Sequence, residues 1–556
     1  MADANPTTAV GAEGVTRNVY VPKEVSERKD VYVRQSSGLV RTVGPRTALF
    51  ANLVAMGIVV NYFWIVFASA GYPNANLVTT VGIGVLINVG IGYVYWMLSS
   101  AMPRSGGDYV FMGRIFHPSI GLAVNLVFTV VFVSWAGYFA YYCAVFGFPI
   151  LFASYAVAGG PASATALAWA GTLSSSTGAQ IAVGGAFLAA VVLISFLPTK
   201  WIFRTTVGIF TVTAVIYVVM MGVMLTHTTA QFESAWNANN PASQTYAAIV
   251  ASAASTSNIT FAGTFLGVVY TMLSFIGYAN SSYFAGEIRG SPTRTQGLAI
   301  FGAPLIFAVL IAGLYAETYN LFGRTFLIGL SQGYLSGTIS TAGFPSPLYL
   351  AAYIAGNPYL AAFLALGVLL TFFGFSLIYF ILPTRNLFAW SFDRILPSFF
   401  ARVSRRGVPY VAVSTLAVAS AIVLYIGVYT TFFDYLSYSN FGFWFAVGIV
   451  CLGAALFPFL RPRLYNQAPP IVRARVGKVP ILSIVGFVSA GAAWFVSYAA
   501  STSQYVEPPS GTYNYDYLIF LPIVFVVGLV VYWIAYALQK HRGVPVDLIA
   551  KELPPD

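Results

Sequence analysis

The chain is short of charge. Of its 556 residues only 8% are Asp, Glu, Lys or Arg, against about 25% in ordinary soluble domains. A soluble body of this length could not cover its surface, which excludes a cytosolic enzyme and a disordered chain. Cysteine is nearly absent too. Cys143 and Cys451 fall in apolar stretches and read as buried apolar residues, which excludes a disulfide-knit secreted fold. The three histidines, His117, His227 and His541, are too scattered to build a zinc triad or a bis-histidine haem site. No metal and no cofactor is therefore expected. Acids at depth, paired carboxylates, or a serine with a histidine are also missing from the apolar stretches. This argues against a proton pump built on buried acids, an intramembrane hydrolase, or any other enzyme.

What is present is apolar surface: 58% hydrophobic and 16% aromatic residues, with a mean hydropathy of +0.77. Residues 47–103, 118–199, 234–286 and 325–384 contain no Asp, Glu, Lys, Arg or His. A helix needs about 20 apolar residues to cross the hydrocarbon. Hydropathy and turn signals predict spans at 47–70, 77–100, 119–147, 180–198, 204–226, 263–286, 296–319, 359–382, 409–428, 434–459, 479–500 and 516–538. The fold class is thus an all-α polytopic membrane protein with twelve transmembrane helices. A β-barrel is a poor fit, because its strands alternate in polarity whereas these runs are continuous.

The sparse charges are ordered. With the N-terminus in the cytoplasm, every Lys and Arg except Arg324 falls on the cytoplasmic side, as the positive-inside rule demands. One missed span would scramble that alternation. The net charge of +11 is accordingly a topology signal with some attraction for anionic lipid. Nucleic acid is not an expected partner, since Glu24, Glu27 and Asp30 dilute the basic N-terminal segment. Residues 1–45 lack an apolar core and are expected to form a mostly mobile cytoplasmic segment with no cleavable signal. Residues 539–556 form a cytoplasmic tail. The longer outer connections, near 148–179, 227–262, 320–358 and 501–515, are rich in small polar residues and read as loops. Asn258-Ile259-Thr260 within them is an N-glycosylation triplet.

A span interior without ionisable groups suits a carrier of a small neutral or zwitterionic solute. Such carriers break two helices near the midplane. The freed N–H and C=O groups then bind a carboxylate, an amine or a cation. Glycine inside a span marks the breaks: Gly57 in the first and Gly277 in the sixth. The two are five spans apart, so a five-helix repeat would be inverted in the membrane.

The connections carry further motifs. Pro103-Arg104-Ser105-Gly106-Gly107-Asp108-Tyr109, with Arg114 and then Pro118-Ser119-Ile120-Gly121, joins the second and third spans. Ser274-Phe275-Ile276-Gly277-Tyr278 is followed by Ala285-Gly286-Glu287-Ile288-Arg289 and Pro292. A third set runs from Arg385-Asn386-Leu387-Phe388-Ala389 through Asp393-Arg394-Ile395-Leu396-Pro397 to Gly407-Val408-Pro409, and the tail ends in Glu552-Leu553-Pro554. In order and in topological position, these segments resemble the amino acid–polyamine–organocation (APC) family of permeases.

The resemblance implies a five-plus-five inverted repeat (LeuT-like, APC fold) with two additional C-terminal helices. Its parts are a first repeat at 46–226, a second at 263–460 and the extra helices at 479–538. It implies a secondary active transporter in the cell membrane, with both termini cytoplasmic. Its substrate would be an amino acid or related amine, moved by alternating access. Substrate would be held at the unwound segments Ala55, Met56, Gly57, Ile58 and Ser274, Phe275, Ile276, Gly277, with Phe275 or Tyr278 as an aromatic gate. The first span departs from the family's usual Gly–x–Gly–x–Gly stretch: only Gly57 remains in 55–61, where Asn61 either supplements the site or bonds another helix. Glu287 and Arg289 are expected to latch to the loop that begins at Arg385. Thr371 and Ser376 are candidate ion ligands in the eighth span. Coupling stays open among H⁺, Na⁺ and exchange. Alternatives are a sensor or subunit that binds without transport, or a carrier of polyamines or nucleobases.

Overall fold

The computed structural model describes residues 8–10, 16–18, 43–404, 407–430, 439–501 and 516–543. The expected mobile segment 1–45 lies almost wholly outside the described residues, as does most of the tail. Among the described residues, eleven helices are long and apolar enough to cross a membrane. A bent pair, Pro45–Met56 and Asn61–Gly71, meets at 40° and counts as one broken span. The protein is an all-α polytopic membrane protein, with the twelve spans read from its hydropathy. After the broken first span they are Leu77–Ala101, Pro118–Val157, Thr177–Ser195, Thr199–Leu225, Phe261–Glu287, Pro292–Phe322, Pro358–Phe392, Tyr410–Tyr429, Phe441–Leu460, Ile481–Ser501 and Pro522–His541.

Side-chain caps start many of them. Asn76 Oδ1 accepts from Thr79 N at 3.2 Å, Asn357 Oδ1 from Tyr359 N at 2.8 Å, and Thr260 Oγ1 from Gly263 N at 3.0 Å. Each supplies an acceptor to an N–H that the first helical turn leaves orphaned. Pro118 and Pro358 sit in the first turn, where a missing N–H costs nothing.

Two sequence expectations are corrected. The third span does not stop at 147. It passes through a π turn at Cys143–Gly147 and runs on to Val157. Pro149 follows directly, and the wider turn just before it absorbs the hydrogen bond that proline cannot make. The polar outer connections are also largely helical, with segments Ser163–Ser175, Thr229–Asn239, Tyr246–Ala253, Arg324–Leu335 and Pro347–Ala351. Thr228 and Gln231 form a capping box, and Phe232 and Trp236, one turn apart, bury fully against Phe326 and Tyr353. Two aromatics at that spacing anchor a helix whose average composition is polar.

The basic connections gather at one end of the bundle. Arg461 donates to Ile115 O and Phe116 O at 3.2 and 2.9 Å, and Gln539 reaches Arg394 O at 2.9 Å. Val43 pairs with the strand-like stretch after the sixth span: its N–H donates to Glu287 O at 3.0 Å and its carbonyl accepts from Arg289 N at 2.9 Å. At the opposite end Arg324, the single basic residue expected there, donates to the carbonyls of Ser257, Pro73 and Ala75. It pins two backbone segments, at 73–75 and at 257, through three carbonyls.

Candidate functional site

Two helix breaks face each other in the middle of the bundle. The first helix ends at Met56, and Gly57 takes φ 66°, a left-handed conformation that suits glycine. Its neighbourhood is crowded as well. A Cβ there would overlap the Phe375 ring and the Thr371 methyl. The chain turns through 58–60 and resumes as a helix at Asn61. Asn61 Nδ2 donates back to Gly57 O at 2.9 Å and lies 3.4 Å from Ile58 O, so the break repairs its own freed carbonyls.

The sixth span breaks differently. Its helix stops at Phe275, Ile276 is extended at ψ 131°, and Gly277 takes φ 115°. The chain then continues as the tighter 3₁₀ form, Asn280–Glu287, with Phe284 non-helical. Gly277 lies directly on the first break: a Cβ would stand 2.7 Å from the carbonyl carbon, oxygen and Cβ of Ala55. Residues from neighbouring spans fasten this stretch. Asn52 donates to Tyr278 O, and its Oδ1 accepts from Ser281 N at 3.0 Å. Gln296 and Ser281 exchange two bonds, at 2.6 and 3.0 Å. Tyr379, on the eighth span, joins the breaks to each other. Its hydroxyl donates to Ala55 O at 2.9 Å and is 3.4 Å from Ile276 O. Around it stand Trp135, Phe132 and Phe375, with ring centroids 4.9, 5.6 and 5.9 Å away.

Free space lies beside the contact between the breaks, not within it. A narrow pocket of about 20 Å³ is walled by Gly277, Tyr278, Ala279, Asn280 and Tyr283 of the sixth span. Ile91 and Tyr95 of the second span, Phe128 and Phe132 of the third, and Phe443, Trp444 and Val447 of the tenth complete it. Aromatic rings dominate, and no formally charged side chain lines it. Two N–H donors on this wall are buried without a well-formed hydrogen bond: Asn280 Nδ2, which lies near the Tyr379 hydroxyl, and Trp444 Nε1. A buried donor left unmade costs about 1–3 kcal/mol, so such a pair is a standing invitation to an acceptor. The chemistry of this lining, apolar with two unpaired donors, suits a carboxylate or carbonyl beside an apolar body once the pocket widens.

The sequence-stated site residues distribute unevenly. Ala55, Met56, Gly57 and Ile58 form the first break and are all buried, but none lines the cavity. Of Ser274, Phe275, Ile276 and Gly277, only Gly277 does. Ser274 Oγ bonds its own helix at Tyr270 O, and Phe275 packs on Phe307. Of the two expected gate aromatics, Tyr278 lines the cavity and Phe275 does not. Thr371 and Ser376 are not brought together. Thr371 donates to Gly367 O of its own helix at 2.8 Å, and Ser376 to Ala136 O of the third span at 2.9 Å. Glu287 and Arg385 do meet, as a buried bidentate pair at 3.0 and 3.2 Å, while Arg289 joins through its backbone to Val43. A second buried pair, Arg114–Asp393 at 3.0 Å, binds the connection after the second span to the end of the eighth, with Tyr109 donating to the same carboxylate at 2.7 Å.

Sequence reading missed Asn52, Tyr379, Asn280, Gln296 and Trp444. Asn52, Asn280 and Gln296 carried a usable signal: an amide inside an otherwise apolar span needs a partner. Tyr379 and Trp444 did not stand out among so many aromatics.

The model of a family described as "Amino acid permease" matches residues 47–472. "Uncharacterized protein 399" of Sulfolobus islandicus rod-shaped virus 1 is 29% identical over 83 residues, 15% of this chain. That match spans about a fifth (21%) of the viral protein's length.

Proposed function

The chain belongs to the amino acid permease family, a family of membrane transporters of amino acids or amines, and on that premise we propose how this member works. It is a secondary active transporter that binds a neutral, largely apolar amino acid or related amine at the junction of the two breaks and moves it by alternating access. Residues 46–226 and 263–460 act as inverted five-helix halves, with 479–538 as two accessory helices. The basic end, with both termini, faces the cytoplasm of the cell.

The observation that carries this reading is the pair of unpartnered donors, Asn280 Nδ2 and Trp444 Nε1, in an uncharged aromatic cavity beside the sixth break. They provide for a substrate carboxylate, while the aromatic wall provides for an apolar side chain. A charged side chain would find no counter-ion there, and its burial would be costly. When the breaks part, the carbonyls of Ala55 and Ile276, held here by Tyr379, become available to the amino group. The Glu287–Arg385 pair closes the basic end in this conformation and must open for release on that side.

Uptake into proteoliposomes of radiolabelled alanine, leucine, phenylalanine, glutamate, arginine and putrescine tests this. Leucine or phenylalanine should accumulate ahead of glutamate and arginine. A folded protein that carries no member of the panel, in net uptake or in exchange, defeats the reading.

A further inference from the structure

Asp108 is a fully buried carboxylate that the transport reading does not use. It opens the short helix Asp108–Ile115, outside the spans, directly after Gly106 and Gly107. Gly107, at φ 47°, lets the ring of Tyr283 lie on the chain: a Cβ there would sit 3.1 Å from it. Gly106 N also donates to Tyr283 O at 3.1 Å. The Tyr283 hydroxyl donates to Asp108 Oδ2, and the Tyr95 hydroxyl reaches the same carboxylate from the second span. Asp108 Oδ1 has no partner.

Among the described residues, no cation stands against this carboxylate. The groups facing Asp108 are Tyr95 from the second span, Tyr283 from the sixth and the Cys451 thiol from the tenth. The buried arginines of this end are committed elsewhere, Arg114 to Asp393 and Arg385 to Glu287. Burial pushes the Asp108 carboxyl up to about 6, against the opposing pull of its two tyrosine bonds. It is therefore neutral below about pH 6 and charged above. Tyr95 and Tyr283 also line the substrate cavity. A single hydroxyl thus separates the cavity from the carboxylate on two sides.

Resting on the transport reading, we propose that Asp108 is the proton-binding site that couples this carrier to a pH gradient. A proton enters through the cavity along the Tyr95 and Tyr283 hydroxyls and rests on the unpartnered Oδ1. The neutral carboxyl holds Tyr283 less firmly, since both charge-assisted bonds become ordinary ones. Tyr283 belongs to the segment Asn280–Glu287 that also carries Asn280 and Glu287. Loading the proton therefore frees the same segment that forms the cavity wall and the closing ion pair. This assigns the driving ion as H⁺ rather than Na⁺.

Proteoliposomes containing the whole chain and an internal pH dye test it, with the best-transported member of the panel as probe. For the wild type, an imposed pH gradient should drive uptake, and uptake should bring protons in, with a midpoint near pH 6. Asp108→Asn should lose the substrate-driven proton signal and flatten the pH profile. Tyr283→Phe keeps the carboxyl but removes a bond that favours its charged form, so its midpoint should rise by about one pH unit. That second variant decides the matter if Asp108→Asn does not fold. A folded Asp108→Asn with wild-type proton entry and pH profile, or an unmoved midpoint in Tyr283→Phe, overturns the proposal. Wild-type flux that ignores a pH gradient and brings no protons overturns it alone. Absence of all flux defeats the transport reading with it.

Discussion

The two breaks look equivalent on paper, one positive-φ glycine in each of two spans, yet they are solved in opposite ways. The first closes on its own backbone carbonyls, although Asn61 Oδ1 is left buried without a partner. Asn61 returns to the carbonyls of Gly57 and Ile58, and the helix restarts within a few residues at a 40° bend. The sixth is open. After Gly277 no α-helix resumes before the span ends, its backbone is held by Asn52 and Gln296 from other spans, and Asn280 is left with an unmade donor on the cavity wall. A break that repairs most of its own backbone suits a hinge, offering a substrate only the Ala55 carbonyl, and one left open suits the main binding surface. The role of glycine in a broken helix is therefore set by what its neighbours leave unpaired.

The largest expected effect separates the two glycines directly. Alanine at either site pays for a positive φ, about 1–3 kcal/mol. At Gly57 the new methyl meets only side chains, the Phe375 ring and Thr371, which can shift. At Gly277 it meets the backbone of Ala55, which cannot shift without moving the first break. Gly277→Ala should reduce uptake on the order of 100-fold, and Gly57→Ala about tenfold less severely, where each factor of ten corresponds to about 1.4 kcal/mol. Equal losses in initial-rate assays, with both variants present in the membrane, would erase the distinction between hinge and surface.

Tyr379→Phe ranks next, because that hydroxyl is the one bond shared by both breaks. The variant keeps the ring among Trp135, Phe132 and Phe375 but leaves the Ala55 carbonyl without its donor. The cost is about 1–3 kcal/mol, borne by the conformation in which the breaks touch. Uptake should fall about tenfold and the melting temperature of the detergent-solubilised protein should drop. Wild-type values for both would mean that packing alone holds the breaks together.

How far the sequence carried this picture depended on whether a signal was local. The spans, the shared basic end and both glycine breaks were legible, because hydropathy, Lys and Arg placement and an interrupted helix are each properties of a short stretch. The Glu287–Arg385 pair was legible from the opposite charges in the connections after the sixth and eighth spans, though Arg289 was expected to share in it. The cavity was not, since Asn280 and Trp444 become a site only when the sixth and tenth spans pack together. The outer helices were hidden for a related reason: Phe232 and Trp236 matter through Phe326 and Tyr353, which are distant in the chain. Asp108 stood in a motif read as a turn, and its burial follows from Tyr283 closing over Gly107.

The smallest effect is expected at Asn61. Its amide serves only carbonyls of its own break, within four residues, and bonds nothing across the bundle. Asn61→Ala leaves Gly57 O buried without that donor, yet the helix beyond it retains its own ladder, and a turn that already departs from helical geometry can relax locally. The loss should be near the low end of a buried bond, about 1 kcal/mol, or roughly a fivefold change in uptake. Affinity for substrate should change less than rate, since a hinge is used in moving between states and not in either bound state alone. If the variant instead loses affinity as severely as Gly277→Ala, the first break is itself a binding surface, and the contrast between the two must be redrawn with Gly57 and Asn61 on the substrate's side.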